Sequence, residues 1–104
     1  MARGGGRSAE MSETWPGFDG APLALHRHGA GAGGGRPIIL LHGLFSNAHM
    51  NWIKWGHAAA IAAQGYEVLM PDLRAHGDSA APHEASAYPP DVLLRDLAGL
   101  VAHL

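Results

Sequence analysis

The run Pro37-Ile38-Ile39-Leu40-Leu41 carries no polar side chain at any position. Successive side chains of a strand point to opposite faces, so an unbroken apolar run fits a strand covered on both sides. That is the setting of a parallel sheet flanked by helices. A second run, Tyr66-Glu67-Val68-Leu69-Met70, has much the same character and is stopped by Pro71-Asp72. Between the two, Ala48–Ala63 has helical spacing, with Trp52, Trp55, Ala59 and Ala62 on one face of a 3.6-residue period. Gly65 stands where a helix closes on a C-cap glycine. Strand, helix and strand in this order predict a parallel βαβ unit with a right-handed crossover.

The flanks extend this unit. Thr14–Phe18 and Leu23–Arg27 are short extended stretches on either side of Asp19-Gly20, a dipeptide that favours a tight turn. They predict a hairpin. Pro89-Pro90-Asp91 opens a second helix whose apolar face is Leu93, Leu97, Leu100, Val101 and Leu104. The fold class expected is α/β, a hairpin followed by βαβα. No glycine, proline or polar cluster closes the last helix. Such a sheet needs further strands, so the expectation is the N-terminal half of a larger domain. Residues 1–13 are polar and Gly-rich, and are expected to be a disordered extension of a domain part covering residues 14–104.

Composition narrows the function. Lys and Arg number 7 against 9 Asp and Glu, a net charge of −2, which disfavours nucleic acid or an anionic membrane as partner. With no cysteine there is neither a disulfide nor a thiolate nucleophile or metal ligand. No apolar stretch approaches the roughly 20 residues of a membrane span. Arg3 and Arg7 precede no apolar segment, so a secretory signal is not expected and the cytoplasm is the default location. Gly29-Ala-Gly31-Ala-Gly33-Gly34 matches G-x-G-x-x-G in form, but it precedes a strand instead of opening a helix. It is read as a linker, not a dinucleotide loop.

Two blocks carry a family resemblance. Ile38-Ile-Leu-Leu-His42-Gly43-Leu44-Phe45-Ser46 resembles the strand and oxyanion loop of the α/β-hydrolase fold. Gly65-Tyr-Glu-Val-Leu-Met-Pro71-Asp72-Leu-Arg74-Ala-His76-Gly77-Asp-Ser79 resembles that family's next strand and its D-x-R-G-x-G-x-S loop. Ala75 stands where the family usually has glycine. The family's triad follows in the order Ser, Asp or Glu, His, from a G-x-S-x-G elbow onward. All of it is expected beyond Leu104.

The resemblance implies roles for the first loop. The Leu44 backbone N–H would be an oxyanion donor, Phe45 would face the substrate, and His42 and Gly43 would brace the loop. A donor of this kind lowers the barrier of acyl transfer by roughly 3–4 kcal/mol. Gly77-Asp78-Ser79-Ala80-Ala81 approaches an elbow motif, but no strand precedes it, so Asp78 and Ser79 are expected to secure the loop. Asp72 and Arg74 are expected to pair within it. The eight histidines show no His-x-x-x-His spacing and no metal is expected; no cofactor is implied.

The function expected is a serine esterase- or lipase-like hydrolysis of ester or related acyl bonds in a small molecule. The alternatives are an aspartate nucleophile, as in dehalogenase and epoxide hydrolase relatives, a peroxidase-like variant, or a non-catalytic binding fragment. The 104 residues are expected to be inactive by themselves and to self-associate along an open strand edge.

Overall fold

A computed structural model of the chain describes residues 10–29 and 35–104. The expected element order is observed. β1 (Glu10–Pro16) and β2 (Pro22–His28) form the hairpin, in register from Glu10↔His28 to Pro16↔Pro22. It is longer than predicted and takes in residues 10–13, for which composition alone predicts disorder. Residues 1–9, and most of the Gly-rich linker at 30–34, lie outside the described residues.

β3 (Arg36–Ile39) and β4 (Tyr66–Pro71) are parallel, and β4 also pairs antiparallel with β2. The sheet order is β1-β2-β4-β3. Among the described strands β4 is paired on both sides, and the Pro37–Leu41 run forms the open edge along which self-association is expected. Val68, Leu69, Met70 and Pro71 are all buried, whereas Ile39 and Leu41 of the first run are exposed at the sheet edge.

Alternation along β4 divides the core into two layers. Leu69 joins Trp15, Leu23, Leu25 and Leu100, with Leu97 packed against them. Val68 and Met70 face the other way, onto Ala48, Ala58 and Ala62, with Ile38, Trp52 and Ile61 alongside. The helix Val92–His103 (called α2 below) covers the first face; of its predicted apolar stripe, Leu97 and Leu100 reach the core, while Leu93, Val101 and Leu104 are exposed.

The predicted helix over 48–63 is not continuous. His49–Ile53 winds as a wide π-turn, in which the Lys54 N–H reaches back to the His49 carbonyl at 2.8 Å. Gly56 then adopts φ +86°, a conformation only glycine enters without steric cost, and α1 (His57–Ala62) starts afresh. The wide turn and the break shift the helical phase. Ala58 and Ala62 consequently face the sheet, Trp52 is half-buried, and Trp55 is 69% exposed.

Leu69 and Leu100 meet in one cluster from different elements. Replacing either by alanine is expected to cost roughly 2–5 kcal/mol in urea unfolding. The double variant should depart from the sum of the two by more than about 0.5 kcal/mol, because the two sites share a cavity.

Candidate active site at the loops after β3 and β4

Parallel pairing brings the C-terminal ends of β3 and β4 to one side of the sheet. Two loops leave there, residues 40–47 and 72–84. Asp72 begins the second and secures both. Its Oδ1 accepts the Ala48 N–H at 2.8 Å, at the end of the first loop. Its Oδ2 accepts the Asp78 N–H at 3.0 Å and lies 2.9 Å from His26 Nε2 on β2. Its backbone N–H donates to the Ala24 carbonyl at 2.8 Å.

The side chain is almost wholly buried. Burial pushes the Asp72 carboxyl up, but the bonds from His26, Ala48 and Asp78 together outweigh it and hold the group below its ordinary value. Gly77, at φ +50°, lies against this carboxylate, and a Cβ there would collide with it.

The Ser79 hydroxyl closes the loop from the other side. It accepts the Ala24 N–H at 2.8 Å and donates to the Asp72 carbonyl. This is the loop-securing role expected of it. Asp78 contributes chiefly through its backbone, and its side chain is exposed, with one oxygen 3.9 Å from His26.

The expected Asp72–Arg74 pair does not form. Arg74 instead turns toward Asp96 on α2, with Nε–Oδ2 and Nη2–Oδ1 at 3.0 and 2.9 Å, and toward Asp19 in the β1–β2 turn at 3.0 Å. The Phe18 ring lies 4.9 Å beneath its guanidinium. Two carboxylates from distant elements match the planar fork better than one loop neighbour can. Asp96 also accepts the Phe18 N–H at 3.0 Å, and its carbonyl accepts Trp15 Nε1 at 3.0 Å.

In the first loop, Gly43 to Ser46 form a four-residue turn closed by the Ser46 N–H on the Gly43 carbonyl at 3.1 Å. Gly43 donates its own N–H to Asn51 Oδ1 at 2.7 Å, and Phe45 donates to His76 Nε2 at 3.2 Å. Of the four backbone N–H groups at 43–46, Leu44 alone has no partner among the described residues. His42 is buried; its Nδ1 lies 2.8 Å from the Gly43 carbonyl and its Nε2 accepts the Leu73 N–H at 2.9 Å. Leu44 and Phe45 are 75% and 91% exposed at the tip.

His26, Asp72 and Asp78 are the group of described residues whose ligand atoms come within 4.8 Å of one another. Both oxygens of Asp72 already accept hydrogen bonds, and that use accounts for the cluster. No helix among the described residues is long and apolar enough to cross a membrane.

A family model, the alpha/beta hydrolase fold, matches residues 36–104, the stretch that holds both of these loops. The chain belongs to the alpha/beta hydrolase fold family. Among curated relatives, epoxide hydrolase 1 of Siraitia grosvenorii is 36% identical over 85 residues, covering 81% of this chain and 26% of the relative. The crystal structure of an epoxide hydrolase from Vigna radiata superposes with a TM-score of 0.74 at 26% identity, covering 93% of this chain and 29% of that one. A thioesterase domain from the curacin biosynthetic pathway, 24% identical with a TM-score of 0.77, shares the fold; 92% of this chain and 32% of that one are covered. The chain spans about a quarter of the length of the curated relatives it matches.

Sequence spacing located both loops but missed His26, His76 and Asp96. These act across elements, and no local pattern marks them. Ala75, at the position where glycine is usual, has φ +70°. Ala75→Gly is expected to raise stability by about 1 kcal/mol in urea unfolding, relieving the left-handed strain. The lowered Asp72 carboxyl fixes an acid response. Its contribution is fully present above the ordinary aspartate value near pH 4 and is lost as pH falls through the lowered value. Melting temperatures measured down to pH 3 should therefore fall more steeply for the native sequence than for Asp72→Asn.

Proposed function

We propose that the chain supplies the oxyanion loop of a hydrolase that opens epoxides through an aspartate nucleophile, with Leu44 as backbone donor and Phe45 against the substrate. The observation that carries this reading is the Leu44 N–H, without a partner among the described residues and set beside an exposed aromatic side chain at the C-terminal edge of the sheet. The names of the curated relatives, epoxide hydrolases in two plant and bacterial examples at 36% and 34% identity, support an epoxide over an ester as substrate. The nucleophile, the rest of the triad and the cytoplasmic location belong to the same proposal.

The chemistry gives Leu44 a defined step. An aspartate oxygen attacks a ring carbon, the ring C–O bond breaks, and the alkoxide takes up a proton. The product is an alkyl ester of the enzyme. Water must then attack the ester carbonyl, and negative charge collects on its oxygen. A backbone N–H aimed at that oxygen lowers this second barrier without reorganising. His42 and Gly43 hold the amide in place and take no proton from substrate.

A serine mechanism on a thioester or ester is the second reading, favoured by the fold shared with the thioesterase domain. The protein encoded by the native reading frame separates them. Incubated with styrene oxide it is expected to release the diol, and p-nitrophenyl acetate should turn over poorly; rapid ester hydrolysis without diol formation overturns the epoxide reading. Leu44→Met should leave kcat nearly unchanged. Leu44→Pro, which has no N–H, should lower kcat on the order of 10²–10³ while the covalent ester accumulates. Circular dichroism of the proline variant tests that it is folded.

A further inference from the structure

The two loops exchange histidines. A carbonyl oxygen only accepts, so His42 Nδ1, 2.8 Å from the Gly43 carbonyl, carries the proton. Its Nε2 is then the bare nitrogen that receives the Leu73 N–H from the second loop at 2.9 Å. His76 repeats the pattern in the opposite direction. Its Nδ1 lies 2.9 Å from the Arg74 carbonyl, and its Nε2 receives the Phe45 N–H from the first loop at 3.2 Å. Each loop thus gives one imidazole and one amide. Both rings are held as the Nδ1–H tautomer, with centroids 5.0 Å apart.

Phe45 needs such a hold. It is the third residue of the Gly43–Ser46 turn and has φ +62°, a position where glycine is the unstrained choice. Its side chain is 91% exposed, so packing does not impose that backbone. The bond to His76 is the one its N–H makes among the described residues.

We propose that His76 is a positioning residue for the oxyanion loop: by accepting the Phe45 N–H it holds the strained turn, removes that amide from competition for the substrate oxygen, and leaves the Leu44 N–H as the loop's donor. This rests on the reading of Leu44 as oxyanion donor. His42 and Asn51 fix the base of the loop, next to β3. His76 fixes its tip, where a displacement of about 1 Å at the reacting atoms costs on the order of 10²-fold in rate.

Two substitutions separate the two nitrogens of His76. Glutamine places its amide oxygen near the site of Nε2 and can accept the Phe45 N–H. Asparagine reaches only the site of Nδ1 and cannot. In the protein encoded by the native reading frame, with styrene oxide as substrate, His76→Asn is expected to lower kcat about ten-fold or more with KM within about two-fold, and His76→Gln to restore most of the loss. Urea midpoints for the two variants test whether asparagine merely unfolds the loop.

A readout on the unmutated protein stands apart from activity. In ¹⁵N-histidine-labelled protein, long-range ¹H–¹⁵N correlations should show both His42 and His76 as Nδ1–H tautomers with an unprotonated Nε2. An Nε2–H tautomer at His76 overturns the proposal, whatever the kinetics. So does a folded His76→Asn with normal kcat while Leu44→Pro remains impaired. A folded, fully active Leu44→Pro removes the oxyanion reading and this proposal with it, whereas the tautomer measurement still reports whether the loops are cross-braced.

Discussion

One carboxylate, that of Asp72, sits where three parts of the chain meet. β2 reaches it through His26, the first loop through Ala48, and the second loop through Asp78. A buried carboxylate is tolerated only when its lone pairs are filled, and these are filled by donors that could not otherwise be brought together. The carboxylate therefore acts as a shared acceptor around which the β-strand ends and both loops assume their relative positions. The oxyanion loop inherits its placement from this anchor, since Ala48 ends the segment that begins at His42.

Arg74 performs the complementary task at the opposite face. Its guanidinium joins Asp96 of α2 to Asp19 of the β1–β2 turn, and the hydrogen bonds it donates to Asp96 and then to Asp19 raise its pKa above the ordinary value. Aspartate in the middle of an otherwise apolar helical stripe looks like a flaw in the pattern. It is instead the point at which α2 is fixed in rotation, because Asp96 also receives the Phe18 N–H and, through its carbonyl, Trp15 Nε1. Two residues apart in sequence, Asp72 and Arg74 belong to separate networks, one organising the reactive loops and the other the sheet's helical cover.

Much of this was legible in the sequence. Apolar runs marked β3 and β4, Asp19-Gly20 marked the hairpin, and the His-Gly and Asp-x-Arg blocks marked the two loops. Periodicity could not show which neighbours each run would pair with, because an uninterrupted apolar stretch fits any strand covered on both faces. It is the antiparallel docking of β2 on β4 that sets the order, and nothing in either segment encodes its neighbour. The break at Gly56 was hidden for a related reason. The residues at 48–63 satisfy one helical period on paper, and a single glycine with a wide turn before it changes the phase of everything that follows. Within the loops, Leu44, Phe45, His42 and Gly43 were nameable from their block. The crossed bonds of His42 and His76 were not, since they depend on which ring nitrogen carries the proton.

The strand order also governs the sequence of events on a ribosome. β1 and β2 emerge first and can pair locally, yet Leu23 and Leu25 find cover only when Leu69 and Leu100 arrive. The register Leu25↔Pro71 places the hairpin's true partner far along the chain, and the intervening β3 docks onto that same partner, not onto the hairpin. Of the described strands the hairpin is made before β3 and β4, and it is thus left longest with a bare apolar face and an unpaired edge, as is usual when sheet neighbours are distant in sequence. Chaperone protection during synthesis would fall on the hairpin, whose cover is complete only when Leu100 arrives, after Asp96 has met the guanidinium of Arg74.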